Sequence, residues 1–107
     1  MIVAINGINI RGEKKKILNS LISLLKQKKF IVYISEELSK TFNTSKMKVY
    51  TEHNISKIDF IISFGGDGTL LNTVTSVGSK KIKILGVNVG KLGFLSFDVY
   101  DVFEKII

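Results

Sequence analysis

The chain of 107 residues contains no cysteine, no proline and no tryptophan, and only one histidine. Without cysteine it can form neither disulfide bonds nor thiolate metal sites. The histidine, His53, lies in a polar stretch with no partner at metal-ligand spacing, so we predict an exposed residue and no metal-binding residues. No apolar run approaches the roughly 18 residues that a membrane-spanning helix requires, and we expect no membrane segment.

The first residues, MIVAINGINIRG, lack the basic leader and the long apolar stretch of a signal peptide. We therefore expect a cytoplasmic protein. The net charge is +7, and much of it lies at the two ends of one predicted helix, at positions 14–16 and 26–29. Because no aromatic residues alternate with these lysines as stacking platforms for bases, we expect a solvated helix face and no nucleic-acid partner. The positive field nevertheless favours polyanionic nucleotides.

Apolar residues make up 45% of the chain, which at this length predicts one globular domain, residues 1–107. Short apolar runs predict buried strands, and apolar residues at helical spacing predict helices. We predict an α/β three-layer sandwich with a mostly parallel, Rossmann-like sheet, ordered around the strand that ends at Phe64, with helices on both faces. The predicted strands are Ile2–Ile5, Phe30–Ile34, Ile58–Phe64 and Ile82–Val87; the predicted helices are Glu13–Lys29, Glu36–Phe42, Leu70–Val77 and one that follows Asp98; Met47–Tyr50 is a short strand or a buried turn.

The most informative segment is Gly65-Gly66-Asp67-Gly68-Thr69, which follows the strand Ile58–Phe64 and precedes the helix that starts at Thr69. Open α/β sheets bind ligands at the carboxyl ends of their strands. Glycines allow the backbone to approach a phosphate closely, and a helix amino terminus attracts one. A carboxylate in the same loop would repel phosphate unless it binds a hydroxyl or a cation. This combination indicates phosphoryl transfer to a hydroxyl, although the same residue types also form ordinary turns.

A second glycine-bearing segment, Asn88-Val89-Gly90-Lys91-Leu92-Gly93-Phe94-Leu95, follows the predicted strand Ile82–Val87. Two loops that both follow parallel strands open on the same edge of the sheet, so we expect them to form one crevice.

Together, FGGDGTLL at 64–71 and LGVNVGKLGFL at 85–95 resemble the amino-terminal domain of NAD kinase. The GGDGT element alone is shared with lipid kinases and, approximately, with 6-phosphofructokinases. The second element is much more specific to NAD kinases. In lipid kinases the threonine of this element is followed two residues later by asparagine, and a segment with proline comes later in the chain. This chain instead has Leu71 at the first position, and it contains no proline.

The resemblance implies transfer of a phosphoryl group from ATP, or polyphosphate, to the 2′-hydroxyl of the adenosine ribose of NAD, which gives NADP. Mg²⁺ or another divalent cation would bridge the donor phosphates. Asp67 would be the catalytic acid or base. The residues implied to bind NAD and the nucleotide are Gly65, Gly66, Asp67, Gly68, Thr69, Asn72, Asn88, Gly90 and Phe94. Asn72 also fits an exposed helix residue, Asn88 a turn residue, and Phe94 a core residue.

NAD kinases carry a second, β-rich domain that supplies much of the nucleotide site, and its pattern is absent here. The sequence stops on Ile106 and Ile107, inside a predicted helix. We expect a fragment that folds, forms homo-oligomers through exposed apolar residues such as Phe103, and shows no kinase activity alone. The alternatives are a lipid or sugar kinase fragment, and a non-catalytic nucleotide-binding or assembly module.

Overall fold

The computed structural model describes residues 1–42, 47–78, 80 and 82–88. Its five strands form one sheet in the order β3-β2-β1-β4-β5, and every neighbouring pair is parallel. The predicted α/β architecture is therefore confirmed. The elements are β1 (Ile2–Gly7), α1 (Glu13–Gln27), β2 (Ile31–Ile34), α2 (Glu36–Thr41), β3 (Lys48–Val49), a 3₁₀ helix (Ile55–Lys57), β4 (Phe60–Gly65), α3 (Asp67–Val77) and β5 (Lys83–Asn88).

The strand order gives the sheet a switch point between β1 and β4. The chain moves outward from β1 to β2 and β3, then returns to the other side of β1 for β4 and β5. Among the described strands β1 is therefore central, and our prediction of a sheet ordered around the β4 segment was wrong by one strand. The apolar pattern marked both strands as buried but could not rank them. Crevices for ligands form where the strand order reverses in this way.

Successive side chains of each strand point to opposite faces of the sheet, and each face packs into its own hydrophobic core. One face packs against α1 and α2, through residues that include Val3, Ile5 and Ile62. The other face, which includes Ala4 and Ile61, packs with Val77 of α3. Helices therefore cover both faces, as predicted.

The end of α1 shows how local backbone geometry overrides periodicity. We predicted a helix through Lys29, but it ends at Gln27 because Lys29 adopts a φ of 67°. The Phe30 amide donates to the Leu25 carbonyl at 3.0 Å, and the Lys29 amide donates to the Lys26 carbonyl at 2.9 Å. These two bonds form a Schellman motif with lysine at the position that usually carries glycine.

Several shorter elements follow local capping chemistry. The Ser35 side chain accepts a hydrogen bond from the Leu38 amide at 3.0 Å and so starts α2. Gly78, with a φ of 63°, ends α3 as predicted. The segment predicted as a short strand or a turn contains the two-residue strand β3.

The predicted helix after Asp98 lies outside the described residues. Within the described ranges, no helix has both the length and the apolar character to span a membrane.

Candidate functional site

The candidate site begins where β4 passes into α3. Gly65 is the last residue of β4, Gly66 is the N-cap of α3, and Asp67 is the first helical residue. The first helical hydrogen bond runs from the Leu70 amide to the Gly66 carbonyl at 3.1 Å. Our prediction that Asp67 lies in a loop before a helix starting at Thr69 was therefore wrong. The helix starts two residues earlier because Gly65, which has no side chain, lets Thr69 and the first turn of α3 pack against the end of β4.

Gly65 is required by close packing inside the protein. A Cβ atom built on Gly65 would lie 2.5 Å from Oγ1 of Thr69 and 3.0 Å from its Cβ. Thr69 is itself buried, with 8% of its surface exposed. This glycine therefore lets the first turn of α3 sit directly against the end of β4.

Gly66 and Gly68 have no such reason within the described part of the chain. A Cβ atom on either residue would meet no atom within 4 Å. Glycine inside a helix costs about 0.5–1 kcal/mol relative to alanine, so Gly68 weakens α3 without improving its packing. The first amides of a helix also lack partners within the helix. The space around these glycines lets a phosphate or a ribose approach those amides.

Asp67 presents its carboxylate to solvent beside these amides. The residue is exposed, and none of the described residues forms a hydrogen bond or an ion pair with its side chain. A carboxylate in the first turn favours the helix electrostatically. Because it is exposed and unpaired within the described ranges, it is also free to contact a ligand that enters the crevice.

A buried polar cluster lies directly beneath this first turn. Asn6 of β1 is only 2% exposed, and its Nδ2 donates to Oδ1 of Asn72 at 2.9 Å and to Oγ1 of Thr73 at 2.8 Å. The Thr73 hydroxyl donates in turn to the Thr69 carbonyl at 2.8 Å. Sequence reasoning missed Asn6, because an Asn-Gly pair after an apolar run indicates the end of a strand.

Ser63 faces the same helix from the neighbouring strand, in register with Asn6. Its side chain is 2% exposed, and its hydroxyl has no hydrogen-bond partner among the described residues. A buried hydroxyl without a partner costs roughly 1–3 kcal/mol. The layer beneath α3 is thus polar on two adjacent strands, and of these two described side chains Asn6 is the one that forms hydrogen bonds to the helix.

Other polar features lie away from this edge. A surface depression of about 440 Å³ is lined by residues that include Glu36, His53 and Lys80. His53 is exposed, as predicted. Burial raises the pKa of the neighbouring Tyr50 to about 12. No cluster of three or more histidine, cysteine, aspartate or glutamate residues in ranges 1–42, 47–78 and 82–88 could hold a metal ion.

Comparison of the chain with known proteins identifies its family. The family model of the ATP-NAD kinase N-terminal domain matches residues 3–106. The chain belongs to the NAD kinase family. This confirms the resemblance that the two glycine-bearing segments indicated.

Curated NAD kinases match over most of the chain. The NAD kinase of Caldicellulosiruptor saccharolyticus is 33% identical over 101 residues, which cover 94% of this chain and 34% of that protein. The NAD kinase of Clostridium kluyveri is 39% identical over 99 residues, covering 84% of this chain and 30% of that protein. The bifunctional NADP phosphatase/NAD kinase of Methanocaldococcus jannaschii is 32% identical over 108 residues, covering 94% of this chain and 18% of that protein. The chain therefore spans about a third of the length of the first two relatives.

The site residues predicted in the first glycine-bearing segment, residues 65–69, lie at the end of β4 and the start of α3, at one edge of the sheet. Gly65 of β4 pairs with Asn88 of β5, and Asn6 and Gly7 at the end of β1 pair with Ser63 and Phe64. The ends of β1, β4 and β5 thus lie side by side at the switch point. Asn72 is exposed on α3 and accepts the hydrogen bond from Asn6. Gly90 and Phe94 lie outside the described residues, as does the side chain of Asn88.

Proposed function

We propose that the protein containing this chain phosphorylates the 2′-hydroxyl of the adenosine ribose of NAD and releases NADP. The observation that carries the proposal is the exposed carboxylate of Asp67, which lies between two glycines with open space at the switch point of the sheet. The NAD kinase names of its relatives support the choice of substrate.

Asp67 acts as the general base in the proposed reaction. The ribose oxygen forms a bond to the terminal phosphorus of the donor, while the bond from that phosphorus to its bridging oxygen breaks. The hydroxyl proton passes to the Asp67 carboxylate as the attack proceeds. A positioned carboxylate typically contributes about 10²–10⁴-fold to such a step.

The neighbouring residues bind and orient the two substrates. We propose that the amides of Gly66, Gly68 and Thr69 face phosphate or ribose oxygens. The Thr69 side chain is buried against Gly65, so only its backbone takes part. The exposed Asn72 contacts the nucleotide from the next turn of α3, and Asn88, Gly90 and Phe94 complete the pocket from the second segment.

The donor is ATP or polyphosphate, and Mg²⁺ or another divalent cation accompanies its phosphates. Mg²⁺ usually keeps several waters and binds through one or two carboxylates plus substrate phosphates. The donor phosphates would therefore hold the ion, which would neutralise charge on the transferred group. The carboxylate of Asp67 stays available for the ribose proton, and the described residues contain no cluster of three or more histidine, cysteine, aspartate or glutamate side chains that could hold a metal ion themselves.

The substrate class is tested by offering acceptors to the full-length protein that contains this chain. With ATP and Mg²⁺ we expect phosphorylation of NAD and none of NAD lacking the 2′-hydroxyl. Transfer to diacylglycerol or to a sugar phosphate, with none to NAD, would favour a lipid or sugar kinase. Binding of NAD and ATP without transfer would favour a non-catalytic module.

Three further expectations stay predictions. The 107-residue chain alone should produce no NADP, because its relatives are about three times as long and a partial site loses the orientation that makes transfer efficient. Homo-oligomer formation was predicted from Phe103, Ile106 and Ile107, which lie outside the described residues. The cytoplasmic location rests on the sequence alone.

A further inference from the structure

We infer that Asn6 is a positioning residue for phosphoryl transfer: its buried amide fixes the first turns of α3 and thereby the place of Asp67. This inference rests on the proposed function of Asp67. Asn6 contacts no substrate in this account. It acts on the reaction only through the helix whose first residue is Asp67.

The geometry of the Asn6 amide uses both of its hydrogens on one helix. One is donated to Asn72 at 2.9 Å and the other to Thr73 at 2.8 Å. Two bonds from one planar group to adjacent residues restrain the rotation of α3 about its axis as well as its distance from the sheet. A single apolar contact would restrain only the distance.

The restraint continues along the helix towards Asp67. The Thr73 hydroxyl accepts from Asn6 and donates to the Thr69 carbonyl at 2.8 Å. Thr69 packs on Gly65, where even a methyl group would collide with it. The first turn of α3 is therefore located from β1 through hydrogen bonds and from β4 through close packing.

The chemistry of the position argues against a purely structural role. Asparagine is disfavoured in strands, and burying an amide costs free energy unless it is hydrogen-bonded. The preceding residues of β1, Val3 to Ile5, are apolar and fully buried. An apolar residue at position 6 would continue that core at lower cost. It would also remove the two hydrogen bonds that restrain the rotation of α3 beneath the carboxylate.

The test measures kcat and KM for NAD in the full-length protein. Asn6→Ala should lower kcat about tenfold or more and change KM less than about threefold, since small misplacements of a reacting group are costly. Thr73→Val should have the same effect, whereas Thr73→Ser keeps the hydroxyl and should keep kcat within about twofold. The Thr73 pair decides the question even if Asn6→Ala does not fold.

Two control variants separate positioning from stability. Asn54 also forms two hydrogen bonds, in which its Oδ1 accepts from the Thr51 amide at 2.7 Å and its Nδ2 donates to the Val49 carbonyl at 3.4 Å, and neither bond is made to α3. Asn54→Ala should lose stability and keep kcat. Ser63→Ala removes a hydroxyl next to Asn6 that has no partner in the described structure, and it should also keep kcat. If the controls and Asn6→Ala lower kcat equally, the inference is wrong.

A double substitution distinguishes failure of the inference from failure of the proposed function. In an Asp67→Asn background, Asn6→Ala should cause little further loss of kcat, because the carboxylate that Asn6 positions is no longer present. A full additional loss would contradict the inference. If Asp67→Asn itself keeps full activity, the proposed role of Asp67 fails. If only Asn6→Ala and Thr73→Val keep full activity, the inference alone fails.

Discussion

The three glycines around Asp67 have two different roles, and alanine substitutions separate them. In Gly65→Ala the new Cβ would lie 2.5 Å from Oγ1 of Thr69. A Cβ atom does not lie that close to an atom to which it is not bonded, so either Thr69 or the backbone at position 65 must move. Thr69 is buried and β-branched, which restricts its side-chain rotation. The first turn of α3 must therefore shift away from β4.

The magnitude follows from that collision. Forcing an extra methyl group into a packed site typically costs about 1–3 kcal/mol, and the φ of +157° at Gly65 adds backbone strain of the same sign. Gly68→Ala meets no atom within 4 Å, and alanine in a helix is about 0.5–1 kcal/mol more stable than glycine. The two substitutions should change the free energy of unfolding in opposite directions.

Urea denaturation and NADP formation measure the two roles separately. We expect both variants to lose activity, Gly65→Ala because α3 moves and Gly68→Ala because a methyl group fills the space for the ligand. Equal stability of Gly65→Ala and wild type would refute the packing argument. Full activity of the stabilised Gly68→Ala variant would refute the assignment of that space to a substrate.

Two predictions concern stability alone. Burial raises the pKa of Tyr50 to about 12 from 10.0, so Tyr50 loses its proton at a lower pH in the unfolded chain than in the folded chain. The free energy of unfolding should therefore keep its full value below pH 10 and fall by up to about 3 kcal/mol as the pH rises from 10 through 12. Urea denaturation at pH 9 and pH 11.5 checks this, and Tyr50→Phe should lose that part of the pH dependence; an identical fall in both proteins would contradict the assignment. Lys29 has a φ of 67° at the end of α1, so Lys29→Gly should raise the free energy of unfolding by up to about 1 kcal/mol, and a lower value would show that the lysine side chain stabilises this turn.

The sequence was sufficient for the elements that depend on local periodicity. Apolar runs located β1, β4 and β5, helical spacing located α1, and the glycine segment was correctly placed at the carboxyl end of β4. One omission arose because the partners come from distant parts of the chain. Asn6 continues β1 because its amide is satisfied by Asn72 and Thr73, which are 66 and 67 residues away. No local pattern contains that information.

Strand order was the other quantity that periodicity could not provide. A buried strand has the same apolar pattern whether it is second or third in the sheet, so the central place of β1 emerged only from the pairing of Ile2 with Ile31 and of Val3 with Phe60. The start of α3 at Asp67 was missed for a related reason. Glycine and aspartate favour loops on their own, and the contact between Gly65 and Thr69 decides where the helix begins.

The central claim is that Asp67 accepts the proton of the ribose hydroxyl, and the most direct test is the kcat of Asp67→Asn in the full-length protein. Asn is nearly isosteric and Asp67 is exposed, so the fold should be unchanged. Asp59→Asn is the matched control, because Asp59 is an exposed carboxylate just before β4 that accepts a hydrogen bond from the Ile2 amide at 2.6 Å. We predict that NADP formation falls about 100-fold or more in Asp67→Asn and stays near the wild-type rate in Asp59→Asn. Near-normal NADP formation by Asp67→Asn would contradict the account.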